Sequence, residues 1–321
     1  MNEQFVCPVC KCEKGDFFAS GKDTLHNTSS TIFNLYKCFD CRIISISPQP
    51  SKQDIQEFYP KTEYYSLNSK KQKNRFFIMR VYDALLSNIL SKLYSNPNQS
   101  HLWIWRLIAA QLTQAIPLQP SSIMRQNKFI GKYLDIGCGD GSWVRKLKKY
   151  GWNVKGVDFT GSPSKDILIG DFLNIKFSDK YDYIRFSGVI EHVTEPVKFL
   201  QKIYTLLEDD GVCVISTPNS NSLSAKIFGS SWIGLEIPRH LIIFNLFNLR
   251  DVCAAASLTV IDIKYELSSG SFAHSLFNFL GIPNKYYIKF AGVLIPIFIS
   301  VDYLLKLFKQ STNICITVKK C

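Results

Sequence analysis

The stretch Lys132–Trp143, KYLDIGCGDGSW, limits the possible folds more than any other part of the chain. Tyr133, Leu134 and Ile136 give a short apolar strand, glycines follow at 137, 139 and 141, and a helical pattern begins directly afterwards. A strand that enters a glycine turn and then a helix is the ligand-facing corner of an open α/β sheet. Dinucleotide sites use G-x-G-x-x-G, whereas the spacing here is G-x-G-x-G. Asp135 stands two residues before the first glycine, where its charge is a poor neighbour for a pyrophosphate and suits a ligand carrying an ammonium. No G-x-x-x-x-G-K-[ST] phosphate loop occurs.

The rest of the chain fits an α/β reading from Lys128 onward. Strands are expected at 132–137, 153–158, 166–170, 181–187, 211–217 and 258–265, with helices at 141–150, 195–207 and 246–256. This alternation implies a parallel sheet with crossover helices. Gly151 is a suitable helix stop, and EDDG (208–211) reads as a turn. Residues 1–50 read as a small unit of their own. Residues 51–126 read as a linker and helical cap, with apolar residues at helical spacing in 75–94 and 101–116. An apolar insertion near 271–309 breaks the alternation, and NICITVKK reads as a last strand. The domain that carries the glycine turn would span 127–321. With 321 residues and 46% hydrophobic composition, the chain can bury a sizeable core and is not globally disordered.

Two Cys-x-x-Cys knuckles, Cys7-Pro-Val-Cys10 and Cys38-Phe-Asp-Cys41, lie in the first unit. Four thiolates suit tetrahedral Zn²⁺, each knuckle offering two sulfurs from one tight turn. Four protein sulfurs leave no open position, so the metal would be structural. Cys12 is near enough in sequence to be a substitute ligand; a disulfide pair or unrelated buried cysteines are the alternatives.

Acidic residues recur at the following strand ends. Asp158 in VKGVDF can accept hydrogen bonds from ribose hydroxyls. Asp171 in LIGDF can accept from an adenine amino group while Phe172 packs on the ring. A ligand with an amino-acid end, a ribose and an adenine but no phosphate is S-adenosylmethionine.

The motifs YLDIGCGDGSW, VKGVDF, IGDF and YDYIRFSGVIEHVTEP together resemble the class I S-adenosylmethionine-dependent methyltransferases, most nearly the branch that includes ubiquinone-biosynthesis O-methyltransferases. TPNSNSLSAKIFGSSWIGLEIPRHLIIF is similar to a signature of a subgroup with an N-terminal zinc ribbon, often found in surface-polysaccharide or sugar-modifying pathways. The resemblance implies a Rossmann-like fold with a mostly parallel seven-stranded sheet, a small N-terminal zinc ribbon and helical insertions. It also implies that Asp135, Gly137 and Gly139 line the methionine end, Asp158 the ribose, Asp171 and Phe172 the adenine, and that Ser187 lies beneath the cofactor.

Methyl transfer needs an aligned acceptor and often a base. His192, in VIEHVTEP after the fourth strand, is the first candidate base, with Glu191 to orient it or share a divalent ion; a purely structural Glu-His pair is the alternative. WIGLEIPRH adds His240 as a second base candidate and Arg239 as a grip for a carboxylate or phosphate, unless the segment is simply a lid held by Trp232 and Pro238.

The expected acceptor is a small molecule: a sugar, a glycan intermediate or a lipid-linked precursor. A quinone or phenol is the alternative. The net charge of +12 and the ribbon permit an RNA substrate, but no aromatic–basic RNA-binding signature accompanies them, so nucleic acid is not the expected partner. The N-terminus lacks the basic and apolar regions of a secretory signal, so a cytoplasmic location is expected. Phe290–Val301 is uncharged but short for a membrane span and contains Pro296. It is expected to be either a buried cap or a peripheral contact with the inner face of a membrane. In the second case Phe76–Leu93 and Lys285, Lys289, Lys306, Lys309, Lys319 and Lys320 would assist.

Overall fold

A computed structural model describes residues 5–59, apart from 24 and 27, and residues 131–321, apart from 150 and 269. The helices expected in 75–94 and 101–116 lie outside the described residues.

Three antiparallel strands, β1 (Gly15–Gly21), β2 (Phe33–Cys38) and β3 (Ile44–Ser47), make up the N-terminal unit, followed by the short helix α1 (Lys52–Glu57). Both knuckles close on a left-handed residue, Lys11 at φ 64° and Arg42 at φ 59°, just after the second cysteine. This turns the chain back, so that the Lys11 N–H donates to the Cys7 carbonyl and the Cys38 N–H to the Ile43 carbonyl. Phe5, Cys7 and Cys38 form the only core cluster confined to this unit among the described residues.

The second sheet is built from β4 (Lys132–Ile136), β5 (Asn153–Asp158), β6 (Ile167–Ile169), β7 (Tyr181–Ser187), β8 (Leu207–Pro218), β10 (Leu258–Tyr265) and β11 (Asn313–Lys320). Their order is β10-β11-β8-β7-β4-β5-β6, and only β11 runs against its neighbours. Strand order reverses at β4, with β5 and β6 on one side and β7 and β8 on the other. The crevice outside the carboxyl ends of β4 and β7 is therefore the ligand position of the fold. Between the strands lie α2 (Ser142–Lys149), α3 (Pro196–Leu206), α4 (Leu223–Phe228), α5 (Leu246–Ala254), α6 (Ser271–Phe279) and α7 (Asn284–Leu307). Pro196 starts α3, where a missing N–H is harmless, and Asn245 caps α5 in a reciprocal box with Asn248.

Within the described residues the expected elements are present, with ends shifted by at most two residues except that β8 starts four residues early, and three readings change. The EDDG turn is absorbed into β8 as an irregularity: Tyr181 pairs with Leu207 and Tyr183 with Val212, so Glu208–Gly211 stand outside the register. Pro296 does not interrupt the apolar insertion, because α7 runs through it over 24 residues; a proline inside a helix removes one hydrogen bond without forcing a stop. Finally, the long segment after β8 carries a short strand, β9 (Ile242–Ile243).

That strand is the fourth of the N-terminal sheet, in the order β1-β2-β3-β9, and brings the segment after β8 onto it. Ile44 pairs with Ile243 and Ser45 with Ile242, and the Ile46 N–H donates to the Leu241 carbonyl at 3.1 Å. Leu35, Ile43, Ile44 and Ile46 share one core with Leu241, Ile242, Ile243 and Phe244. The N-terminal unit thus closes on the core of the larger sheet domain and is not a body of its own.

Beside this seam lies Arg239, fully buried. Its Nη1 and Nη2 donate to Asp23 Oδ2 and Oδ1 at 3.0 and 3.1 Å, its Nε to Glu236 Oε1 at 3.0 Å, and Nη1 also to the Phe58 carbonyl. Asp23 accepts in addition from the backbone N–H groups of Leu25, His26 and Thr28. These bonds hold its carboxyl far below the usual range despite burial. Arg239→Met strands this buried carboxylate. It should lower stability by about 3–5 kcal/mol in urea unfolding, with a smaller loss in the double variant Asp23→Leu/Arg239→Met.

Candidate active site

The glycine turn is held by the end of β5. The N–H groups of Gly137 and Cys138 donate to the Val157 carbonyl, and the Gly139 N–H donates to Asp158 Oδ2 at 2.7 Å. Gly137 has φ +73°, and a Cβ there would lie 2.4 Å from Val189 Cγ2. That contact places the loop after β7 directly over the turn and fixes how far the Glu191–His192 pair stands from it. Ser187 ends β7 beside Ser216 of β8, at the same carboxyl edge.

Two predicted cofactor residues are differently placed. Asp135 does not stand open to an ammonium: it is 1% exposed, and its Oδ1 takes a 2.9 Å ion pair from Arg185 Nη1. The register explains this, since Asp135 and Arg185 are direct neighbours across β4 and β7. Burial pushes the Asp135 carboxyl up, and Arg185 works against that shift. Phe172 is not an open platform for a ring either: it is buried against Phe199 and Phe177, with centroids at 4.8 and 5.7 Å. The neighbouring loop is tied by Lys202, whose Nζ donates to the carbonyls of Phe172, Leu173 and Ile175 at 2.7, 3.0 and 2.6 Å. Asp171 bonds the Leu173 N–H and the Asn174 side chain, and Asp158 bonds Gly139 and Thr160, so both carboxylates are oriented by their own turns. Sequence reading missed Phe159, which follows Asp158 and is 53% exposed. The signal was its aromatic ring at a strand end on the ligand edge.

Glu191, His192 and His240 come together, with ligand-capable atoms all within 4.8 Å of one another. Glu191 and His192 lie in a short 3₁₀ turn, and the Leu241 N–H donates to the Glu191 carbonyl at 2.8 Å, binding this turn to the long segment. Glu191 is buried, and its Oε2 accepts from Thr217 Oγ1 at 3.0 Å. Burial pushes its carboxyl up to about 8. His240 Nδ1 is 2.8 Å from the Gly234 carbonyl and His192 Nδ1 is 2.9 Å from the Arg239 carbonyl. A carbonyl only accepts, so each Nδ1 carries the proton and each Nε2 the lone pair. Burial lowers His192 to about 3 and His240 to about 4, so both rings are neutral near pH 7. The donor set fits a divalent ion as well as proton transfer. Arg239 is not a substrate grip: its guanidinium donates to Asp23, Glu236 and Phe58 within the protein. Trp232 is buried, as expected of a residue anchoring the segment.

The other cluster is Cys7, Cys10, Cys38 and Cys41, whose sulfurs also lie within 4.8 Å of one another. Cys7–Cys41 and Cys10–Cys38 approach to 3.5 and 3.4 Å, and all four are free thiols. Sulfurs around one tetrahedral Zn²⁺ stand about 3.8 Å apart, so the cage is the right size. The Cys7–Cys41 contact lowers the Cys7 thiol and raises the Cys41 thiol, as one proton held between two sulfurs requires. Cys12 does not join them; its sulfur bonds the Lys14 backbone.

Residues 100–263 match the methyltransferase domain family. The chain belongs to that family. It is an S-adenosylmethionine-dependent methyltransferase of class I, as its motifs led us to expect. Among curated relatives, the ubiquinone biosynthesis O-methyltransferase of Actinobacillus pleuropneumoniae serotype 7 (strain AP76) is 28% identical over 158 residues, covering 41% of this chain and 68% of that one. The ubiquinone biosynthesis O-methyltransferase of Histophilus somni (strain 2336) is 26% identical over 171 residues, covering 47% and 69%. Among solved structures, the 1,6-didemethyltoxoflavin-N1-methyltransferase of Burkholderia thailandensis, with bound S-adenosylhomocysteine, aligns at a TM-score of 0.40 and 16% identity, over 75% of this chain and 89% of that one.

The raised Glu191 carboxyl makes a pH prediction with a definite sign. Below 4.5 the folded and unfolded chains both hold the proton. Between 4.5 and about 8 only the folded state holds it, so stability falls as pH rises, and the penalty is complete above about 8. Glu191→Gln keeps the hydrogen bond and does not titrate. Its stability relative to the wild-type protein should rise across this window by a few kcal/mol at most (about 1.4 per pH unit); parallel urea curves at pH 4, 6 and 8.5 check it.

Proposed function

We propose that this methyltransferase transfers a methyl group to a hydroxyl of a small-molecule acceptor: a sugar, a glycan intermediate or a lipid-linked precursor. One observation carries the reading. The glycine turn and the Glu191–His192–His240 cluster share one sheet edge, joined by Val189 against Gly137. Bound S-adenosylmethionine supplies an electrophilic methyl group on a sulfonium. In this reading Asp158 holds the ribose, Asp171 the adenine amino group and Phe159 one face of the ring, with Ser187 beneath. Asp135 acts on the methionine end from below, through its pair with Arg185. His192 Nε2 takes the acceptor's hydroxyl proton, and His240 and Glu191 shape the wall around it. The four cysteines hold a structural Zn²⁺.

A phenol or quinol acceptor is a second reading. It is supported by the relatives' names and by one property of the site: a ring held near 3 is a weak base, which suits an acceptor hydroxyl that is already acidic.

The lipid-linked form suits the outer surface of α6 and α7, where Phe279, Leu280, Leu304, Leu307 and Phe308 are exposed beside Lys309. Among the described residues no helix is long and apolar enough to cross a membrane. We therefore propose peripheral contact.

Isothermal titration with S-adenosylhomocysteine tests the cofactor site. Wild-type protein should bind, and Asp158→Ala should bind about tenfold or more weakly; absence of wild-type binding removes the function. Methyl transfer to nucleotide sugars rather than to catechol-type quinols decides between the acceptors. Co-sedimentation with anionic liposomes at low salt, lost in Leu307→Asp/Phe308→Asp, tests the membrane contact.

A further inference from the structure

Two contacts reach the transfer centre from the cysteine-bearing unit and the short segment that follows it through α1. The Tyr59 hydroxyl lies 3.0 Å from His192 Nδ1, with the rings 6.2 Å apart. The other contact runs through Arg239. Its guanidinium is gripped by Asp23 and by the Phe58 carbonyl, and its own carbonyl takes the His192 Nδ1 proton. His240 is the next residue, and its ring packs edge-on to His192 at 4.7 Å. The orientation and tautomer of His192 are thus set by groups held from residues 23, 58 and 59. The cofactor turn is supported differently: the hydrogen bonds of Gly137, Gly139 and Asp158 stay within β4, β5, β6 and the turns that follow them.

We propose that the N-terminal unit is a positioning part of the transfer centre, in which Tyr59 and the Asp23–Arg239 pair hold His192 with Nδ1 protonated and Nε2 free. The inference rests on the methyl-transfer reading above and adds the residues that make His192 usable. Tyr59 is then a positioning residue. Its oxygen shares the Nδ1 proton with the Arg239 carbonyl, leaving its own hydrogen to donate away from the ring. The metal cage acts at one further remove. By fixing both knuckles it fixes β2 and β3, and through the β3–β9 seam it fixes the segment that carries Arg239 and His240. Disturbing this unit should change His192 and leave cofactor affinity intact.

The test uses full-length protein saturated with S-adenosylhomocysteine and ¹⁵N-labelled at its five histidines. The His192 ring signals are assigned by their loss in His192→Gln. Wild-type protein should show a neutral ring protonated at Nδ1. Tyr59→Phe keeps the aromatic ring, Asp23→Asn keeps the shape of the carboxyl, and a zinc chelator leaves the sequence unchanged. Each should shift or split the His192 signals, while affinity for S-adenosylhomocysteine by titration stays within about threefold. His192 signals that ignore all three changes overturn the proposal. So does cofactor affinity that falls in step with them, because the unit would then merely support the whole fold. Wild-type protein that does not bind S-adenosylhomocysteine overturns both this inference and the function it rests on.

Discussion

The rest of the site depends on the buried guanidinium of Arg239. A cation without water must be met by fixed acceptors or the fold does not form around it. Here the acceptors come from three places: Asp23 in the loop after β1, the Phe58 carbonyl just past α1, and Glu236 in its own turn. Satisfying one charge therefore brings the N-terminal unit and the long segment after β8 to one point. The backbone of the same residue then reaches His192. Packing, electrostatics and the candidate chemistry meet at this side chain, which is why its neighbours Asp23 and Glu236 are acidic and enclosed.

What the sequence shows plainly is local. The turn from β4 into α2 follows from glycines at alternate positions, and the Asp158–Gly139 bond lies within one strand–helix–strand unit. The paired cysteine knuckles are equally local, each made by a tight turn with a left-handed residue after it. The parallel pairing of β4 to β8 follows from alternation, because parallel strands need crossovers.

The residues whose surroundings differ from expectation have partners that one sequence does not announce. Arg239 looks like a substrate grip until Asp23, more than 200 residues away in sequence, is seen to hold it. Asp135 looks open until the β4–β7 register sets Arg185 beside it. Phe172 reads as a ring platform because it follows an acidic residue, yet it turns inward to Phe199 while Phe159 is left outside. Two-residue β9 gives no periodic signal at all, and the role of Tyr59 depends on a contact with His192 across the fold. Each error is a long-range pairing, and each lies at or next to the functional edge.

The core shared by Leu35, Ile43 and Ile46 with Leu241–Phe244 has a consequence for the chain's history. A cysteine-knuckle unit that buried its own apolar surface would be a cassette, free to be exchanged between proteins by recombination at residue 50 or so. This one is not transferable. Moved elsewhere, it would bare Ile44 and Ile46 and the open edge of β3; left behind, the remaining domain would bare Ile242, Ile243 and the cation of Arg239. The two parts can drift in sequence only as a matched set, so the unit of inheritance here is the seam and not either domain alone.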